Sequence, residues 1–300
     1  MRLICSVAIF LSAAFSLTIE RVEIFFITDV INVLLVSALS RLFYFSNTLS
    51  FLNCLAWLIR LLSFQGFSWF AFAHDVHGHL AYIQYITDKN FLSLPKSDWC
   101  WECYHPPLYY ILSGIVHKVC STIFTFNLEY YQLLSLICSL VNIFYTNWIF
   151  KLLFSSSGEA KETHKPSKFP LIEQGLKNSD NLQQIMASSL VNFWPLSIMN
   201  SIRLNNDVLL YTLCIVSLFY LLKWINNPPR FKHLLLSSIA AILAYWTKGN
   251  AVLFMIIIIF AFIIHFKSFY SNKTPQQTNA PHKSRVFLKG NSNYRTKAIK

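Results

Sequence analysis

Charge is what this chain has least of. Charged residues fill 13% of its 300 positions, about half the roughly 25% of an ordinary soluble domain. Acids are the scarcer sign, with 13 Asp and Glu against 25 Lys and Arg, and glycine occurs only 7 times. A chain so poor in charge is not a solvated, disordered coil. Nor can it cover a soluble globule whose residues are 55% hydrophobic and 16% aromatic. With 7 Cys in all, it is no disulfide-rich secreted scaffold either. The net charge of +12 suggests nucleic acid until the positions of the basic residues are considered.

What the chain does have is long apolar runs, and its mean hydropathy is +0.45. Runs at 3–18, 23–43, 50–73, 130–154, 184–202 and 207–225 each approach the roughly 20 residues a bilayer core requires. A further pair, 233–247 and 250–267, is split by Thr247-Lys248-Gly249. The first run, after Met1-Arg2 and ending in small residues, reads as a signal peptide or an anchor. Segment 107–125 opens after Pro106 and carries His117 and Lys118, so it either spans or lies in the interface. The expected fold is all-α: a polytopic membrane helical bundle.

Basic residues assign the sides. Arg230 and Lys232 in the link 226–232, the lysines of 155–182, and the acid-free tail from Lys267 onward place those segments in the cytosol. Asn205-Asn206-Asp207 and Thr247-Lys248-Gly249 then fall on the opposite side. The loop 74–106 joins them there when 107–125 is interfacial. The basic excess is thus a topology signal, and no nucleic-acid partner is expected.

The outer loop concentrates the polar chemistry. Five of the nine His lie between 74 and 117, beginning with His74-Asp75-Val76-His77-Gly78-His79. A carboxylate at the lip of a span is partly desolvated, which raises its basicity toward that of a general base. From His77 on, Leu80, Ile83 and Ile86 recur at helical spacing with Tyr82 and Tyr85 beside them, as in a helix lying on the membrane surface. Pro106-Pro107 starts another helix and holds Glu102 and His105 near its N-terminus, where an anion is favoured. Cys100 and Cys103 form either a local disulfide or two unpaired thiols. Plainer roles stand beside these: Asp75 and Asp207 as helix N-caps, Lys248 as a snorkelling residue at a hairpin. Arg60, in the middle of an apolar run, is either functional or a sign that the run is wrongly bounded. Asp75, His77, His79 and His105 could take a divalent metal such as zinc, although their spacing matches no closed site.

The string from Asp75 to Ile86, then Tyr104-His105-Pro106-Pro107-Leu108-Tyr109-Tyr110, resembles the first extracytoplasmic loop of GT-C-class membrane glycosyltransferases. The likeness is nearest to the protein O-mannosyltransferase and aminoarabinose-transferase-like superfamily. Arg203-Leu204-Asn205-Asn206-Asp207 and Leu243-Ala244-Tyr245-Trp246-Thr247-Lys248-Gly249 are similar to two later motifs of that superfamily, in the same order. The resemblance covers roughly 50–268. It implies a GT-C-like core with interfacial helices in the first outer loop, and inverting transfer of a sugar from a polyprenyl- or dolichyl-phosphate donor to a hydroxyl. The acceptor would be a protein, lipid or glycan. The match makes Asp75 the catalytic base and His79, Tyr82, Glu102, His105, Arg203, Asn206, Asp207 and Lys248 the substrate-binding set. No bound cofactor is implied.

The family's second acid beside the Asp is replaced here by His74 and Val76, and His105 stands where relatives often carry Lys. The expected organisation is a signal or anchor with an apolar segment (1–49), the core (50–268) with a flexible cytosolic loop (155–182), and a basic disordered tail (269–300). The membrane would be the endoplasmic reticulum in a eukaryote or the inner or plasma membrane in a bacterium. Against the family's usual length the chain is short, which raises the expectation of a truncated, inactive relative. A multi-span transporter or structural membrane protein with an outer His cluster is the alternative.

Overall fold

The computed structural model describes residues 22–43, 45–67, 75–91, 93–123, 128–159, 182–226 and 231–271; side chains are described within these except at 22–27, 128–129, 155–159 and 267–271. The expected signal or anchor run 3–18, His74, most of the loop 155–182 and nearly all of the tail lie outside them. Every regular element among the described residues is helical. In chain order these are α1 (Val22–Leu42), α2 (Asn47–Gly66), α3 (Val76–Asp88), α4 (Leu108–Ile123), a 3-10 turn (Leu128–Gln132) and α5 (Leu133–Glu159). After them come α6 (182–192), α7 (Pro195–Ile202), α8 (Asp207–Asn226), α9 (Phe231–Thr247) and α10 (Val252–Ser271).

The ends follow local chemistry. The Ser46 hydroxyl accepts from the Leu49 amide and opens α2. Asp207 in the first turn of α8 and Lys223 in its last turn match the helix dipole. Among the described residues four segments are long and apolar enough to cross a membrane: Asn47–Gly66, Tyr130–Phe154, Asp207–Asn226 and Gly249–Phe266. α4 and α9 are apolar but shorter, at 16 and 17 residues. Seventeen residues rise only about 25 Å, short of a hydrocarbon core of roughly 30 Å. The chain has the architecture of a membrane protein.

One expected span is corrected. Residues 184–202 do not form one helix: α6 ends at 192, Phe193 and Trp194 break the path, and α7 starts at Pro195. Proline has no N–H to continue the ladder and drives the preceding residue out of the helical region. Trp194 accordingly has φ −61° and ψ 126°.

Helices pack pairwise, α1 on α2, α3 on α4 and α8 on α9, with α5 against α8 and α7 wedged between α5 and α2. Trp57, Leu61, Leu133, Leu136 and Ile143 centre one buried cluster. Tyr82, Ile83, Tyr109, Tyr110 and Leu204 centre a second, which also includes Cys103 of the loop 93–107. The chain divides into two compact units, 1–259 and 260–300. Within the second, Phe262 and Phe266 stack at 5.5 Å.

Polar side chains inside the bundle bridge helices. Asn53 donates to the Ser40 hydroxyl at 3.3 Å and accepts from the Asn147 amide at 2.6 Å, linking α1, α2 and α5. Ser217 and Ser237 each donate to the other's carbonyl, at 2.8 and 2.9 Å, across α8 and α9. Asp29, an acid within the apolar run 23–43, is 6% exposed and accepts from Gln65 at 2.8 Å inside the bundle.

Arg60 also becomes intelligible. It is 1% exposed, and one guanidinium nitrogen donates to the Asn192 carbonyl and the Ser197 hydroxyl, both at 2.9 Å. The other donates to the Ala56 carbonyl at 2.8 Å. The α6–α7 break leaves the Asn192 carbonyl without a helical donor, and Arg60 replaces it. Its role is to staple the broken helix.

Candidate functional site at one end of the bundle

The chain returns to one end of the bundle several times. Asp75 precedes α3 there, the loop 93–107 crosses it, and α4, α5 and α8 begin there while α7 and α9 end there. Local bonds fix these ends: Gln132 donates to the Ile202 carbonyl at 2.6 Å, and Ser135 to the Arg203 carbonyl at 2.7 Å.

α3 buries Val76, His79, Tyr82, Ile83 and Ile86, a stripe at helical spacing. The sequence suggested a helix lying on the membrane surface, with Leu80, Ile83 and Ile86 as its apolar residues. Instead Leu80 is only partly buried while His79 and Tyr82 face the core. Tyr82 stacks on Tyr110 at 3.9 Å between ring centres, and its hydroxyl donates to the His105 carbonyl at 3.3 Å. Two aromatic rings therefore outcompete one leucine for the packed face.

Glu102 is held against α3 by two local features. Cys100 and Cys103 are joined in a disulfide, so the thiol alternative does not hold. Gly78 presents no side chain: a Cβ there would stand 2.8 Å from the Glu102 Cγ. Glu102 Oε2 then lies 3.0 Å from His105 Nε2 and 3.9 Å from His79 Nδ1. The second distance is too long for a hydrogen bond. His79 Nδ1 is instead 3.0 Å from the Tyr110 hydroxyl, to which the Asn206 amide donates at 3.4 Å. Tyr110 thereby links His79 to Asn206 through its hydroxyl.

Burial sets the proton affinities. It lowers the His79 imidazole to about 4, with the charges of His105 and Lys248 adding to the effect, so His79 is neutral at ordinary pH. Burial raises the Glu102 carboxyl above its usual range, and the Asp75 charge raises it further. Burial lowers His105, reinforced by Lys248. Both members of the 3.0 Å pair shift toward their uncharged forms, which brings a weakened acid and a weakened base closer in proton affinity.

Asp75 sits at the N-cap position of α3, yet its side chain makes no capping hydrogen bond, and it is exposed. Asp207 is not a simple N-cap either. Its carboxylate pairs with the Lys248 ammonium at 2.6 Å, and its amide donates to the Asn205 side chain at 2.9 Å. Lys248, at the end of α9, is thereby anchored by an ion pair. Arg203 stands apart: its side chain has no ion pair among the described residues, and its Nε is buried without a partner. Asn206 is 1% exposed.

Asp75, Glu102, His105, Asp207 and Lys248, drawn from three separate strings, thus share one electrostatic neighbourhood. Sequence reasoning missed Tyr110, which joins His79 to Asn206. Its one signal was its place in the first turn after Pro106-Pro107. Among the described residues no group of three His, Cys, Asp or Glu is placed to hold a metal. No family model, curated protein or solved structure matches the chain.

Proposed function

We propose that the protein is a membrane glycosyltransferase of the GT-C kind. It transfers a sugar from a polyprenyl- or dolichyl-phosphate donor to an acceptor hydroxyl on the extracytoplasmic face. One observation carries this reading. An exposed, uncapped carboxylate (Asp75) shares one end of a membrane bundle with a buried carboxyl–imidazole pair (Glu102 and His105) and an anchored cation (Lys248).

Asp75 takes the proton of the acceptor hydroxyl as its oxygen attacks the anomeric carbon. The bond from that carbon to the phosphate oxygen breaks, the lipid phosphate leaves with the electron pair, and a single displacement inverts the centre. Asp207 engages Lys248 on one side only, so the other N–H groups of the ammonium stay free for a phosphate oxygen. Arg203 is the second cation. Glu102, His105, His79, Tyr82 and Asn206 line the acceptor side. The compartment is the endoplasmic reticulum in a eukaryote and the inner or plasma membrane in a bacterium.

The test is transfer of labelled sugar from a dolichyl-phosphate sugar in membranes carrying Asp75→Asn at unchanged expression. A loss of about 10²–10⁴-fold is expected for removal of a general base. Full activity in that variant would sink the assignment.

A further inference from the structure

A cavity of about 210 Å³ lies between α5, the break at Trp194, α7 and α8. Asn142 on its wall stands about 18 Å along the helix axis from Tyr130, at 1.5 Å per residue. That is near the middle of the Tyr130–Phe154 span, at hydrocarbon depth.

Its polar lining includes Asn142, Thr146, Asn192, Ser197 and Asn200. Ser197 is engaged by Arg60. Side chains of the other four have no hydrogen-bonding partner in the protein among the described residues. Thr146 and Asn192 are 5% exposed, Asn200 is 9% exposed, and the Asn142 side-chain oxygen is enclosed without a partner. A helical threonine readily returns its hydroxyl to the carbonyl four residues back, as Thr87, Thr212 and Thr247 do. Thr146 does not.

Amides and hydroxyls left unpaired at this depth cost roughly 1–3 kcal/mol each. The cavity therefore suits an occupant that brings hydrogen-bonding groups. No ionisable side chain other than Tyr211 lines it, so nothing there would offset a phosphate or an ammonium. Val191, Trp194 and Leu196 on its edge are exposed and apolar, as expected of a mouth that opens sideways into lipid. The volume equals about seven waters at roughly 30 Å³ each, enough for a glycerol backbone but not for acyl chains.

We infer that this cavity is a lateral binding site for an uncharged membrane lipid bearing hydroxyl and carbonyl groups, of diacylglycerol-like chemistry. The Asn amides donate to the ester carbonyls, the Asn142 oxygen accepts from the lipid hydroxyl, and the acyl chains remain in the bilayer beside Trp194. The site is separate from the Asp75 cluster and does not depend on the transfer reaction proposed for it.

The test uses the full chain in phosphatidylcholine nanodiscs with a diacylglycerol carrying a photoactivatable group near its glycerol end. Crosslinks should map to peptides spanning 191–200, be competed by unlabelled diacylglycerol, and resist phosphatidylglycerol. Thr146→Val keeps the side-chain shape while removing the hydroxyl, and Asn200→Leu fills the space. Each should cut labelling at least about fivefold, equivalent to roughly 1 kcal/mol of affinity. If Asn200→Leu does not elute as folded protein, Thr146→Val carries the test alone. Absence of labelling at 191–200 would leave water as the occupant and overturn the site. Labelling unchanged by Thr146→Val would reveal only annular lipid, and equal competition by phosphatidylglycerol would refute an uncharged ligand.

Discussion

The two polar regions of this molecule obey opposite rules. Midway along the bundle, Asn53, Asn147, Ser217 and Ser237 are neutral groups that bond across helices, and the buried cation Arg60 spends itself on a helix break. At the site end, ionisable groups stand in incomplete partnerships: Glu102 lies 3.0 Å from a His105 that burial holds toward its neutral form, Asp75 caps nothing, and Lys248 is held from one side only. Water is absent from hydrocarbon, so polar groups there must find partners in the protein or in a ligand. The end of the bundle lies near water and can keep reactive groups unsatisfied. A polar residue in an apolar chain therefore meets different demands at different depths.

The largest way to break this contrast is at Arg60. Arg60→Leu orphans the Asn192 carbonyl and the Ser197 hydroxyl and should cost about 3 kcal/mol. Thermal unfolding in detergent measures it. A loss of transfer activity with no change in stability would move Arg60 into the chemistry and erase the distinction.

His79 sharpens the contrast from the other side. Its folded pKa of about 4 lies below the ordinary 6.5, so between these values the unfolded state binds more protons and stability falls as pH falls. From about pH 7 to about pH 5 the loss should be about 2 kcal/mol. His79→Gln should remove that part of the pH dependence, and an unaltered dependence of Tm on pH would refute the neutral buried imidazole. The smallest effect belongs to Ser217→Ala, which gives up a reciprocal bond between α8 and α9 for about 0.6 kcal/mol. A cost several times larger would show that mid-bundle hydroxyls do more than join helices.

Much of the fold is legible in the apolar runs. Runs expected at 207–225 and 233–247 emerge as α8 at Asp207–Asn226 and α9 at Phe231–Thr247, because polar residues bound each apolar run. The run 184–202 misled because hydropathy does not register the missing amide of Pro195. On the site, the strings around Asp75, Glu102 and Lys248 drew notice by their polarity in an apolar chain. Their meeting did not, since sequence spacing says nothing about contacts such as Asp207 with Lys248, 41 residues apart. The inward turn of His79 was hidden as well: a histidine reads as polar until its packing against Tyr110 is seen.

Composition by itself determined that this chain belongs in a membrane, for so little charge cannot solvate so much apolar surface. The order of apolar and polar segments determined where most helices lie, since each backbone must satisfy its own hydrogen bonds in lipid. Only the tertiary structure decided which polar residues are bolts and which remain open to chemistry. That depends on the partner each side chain finds and on the depth at which it finds it.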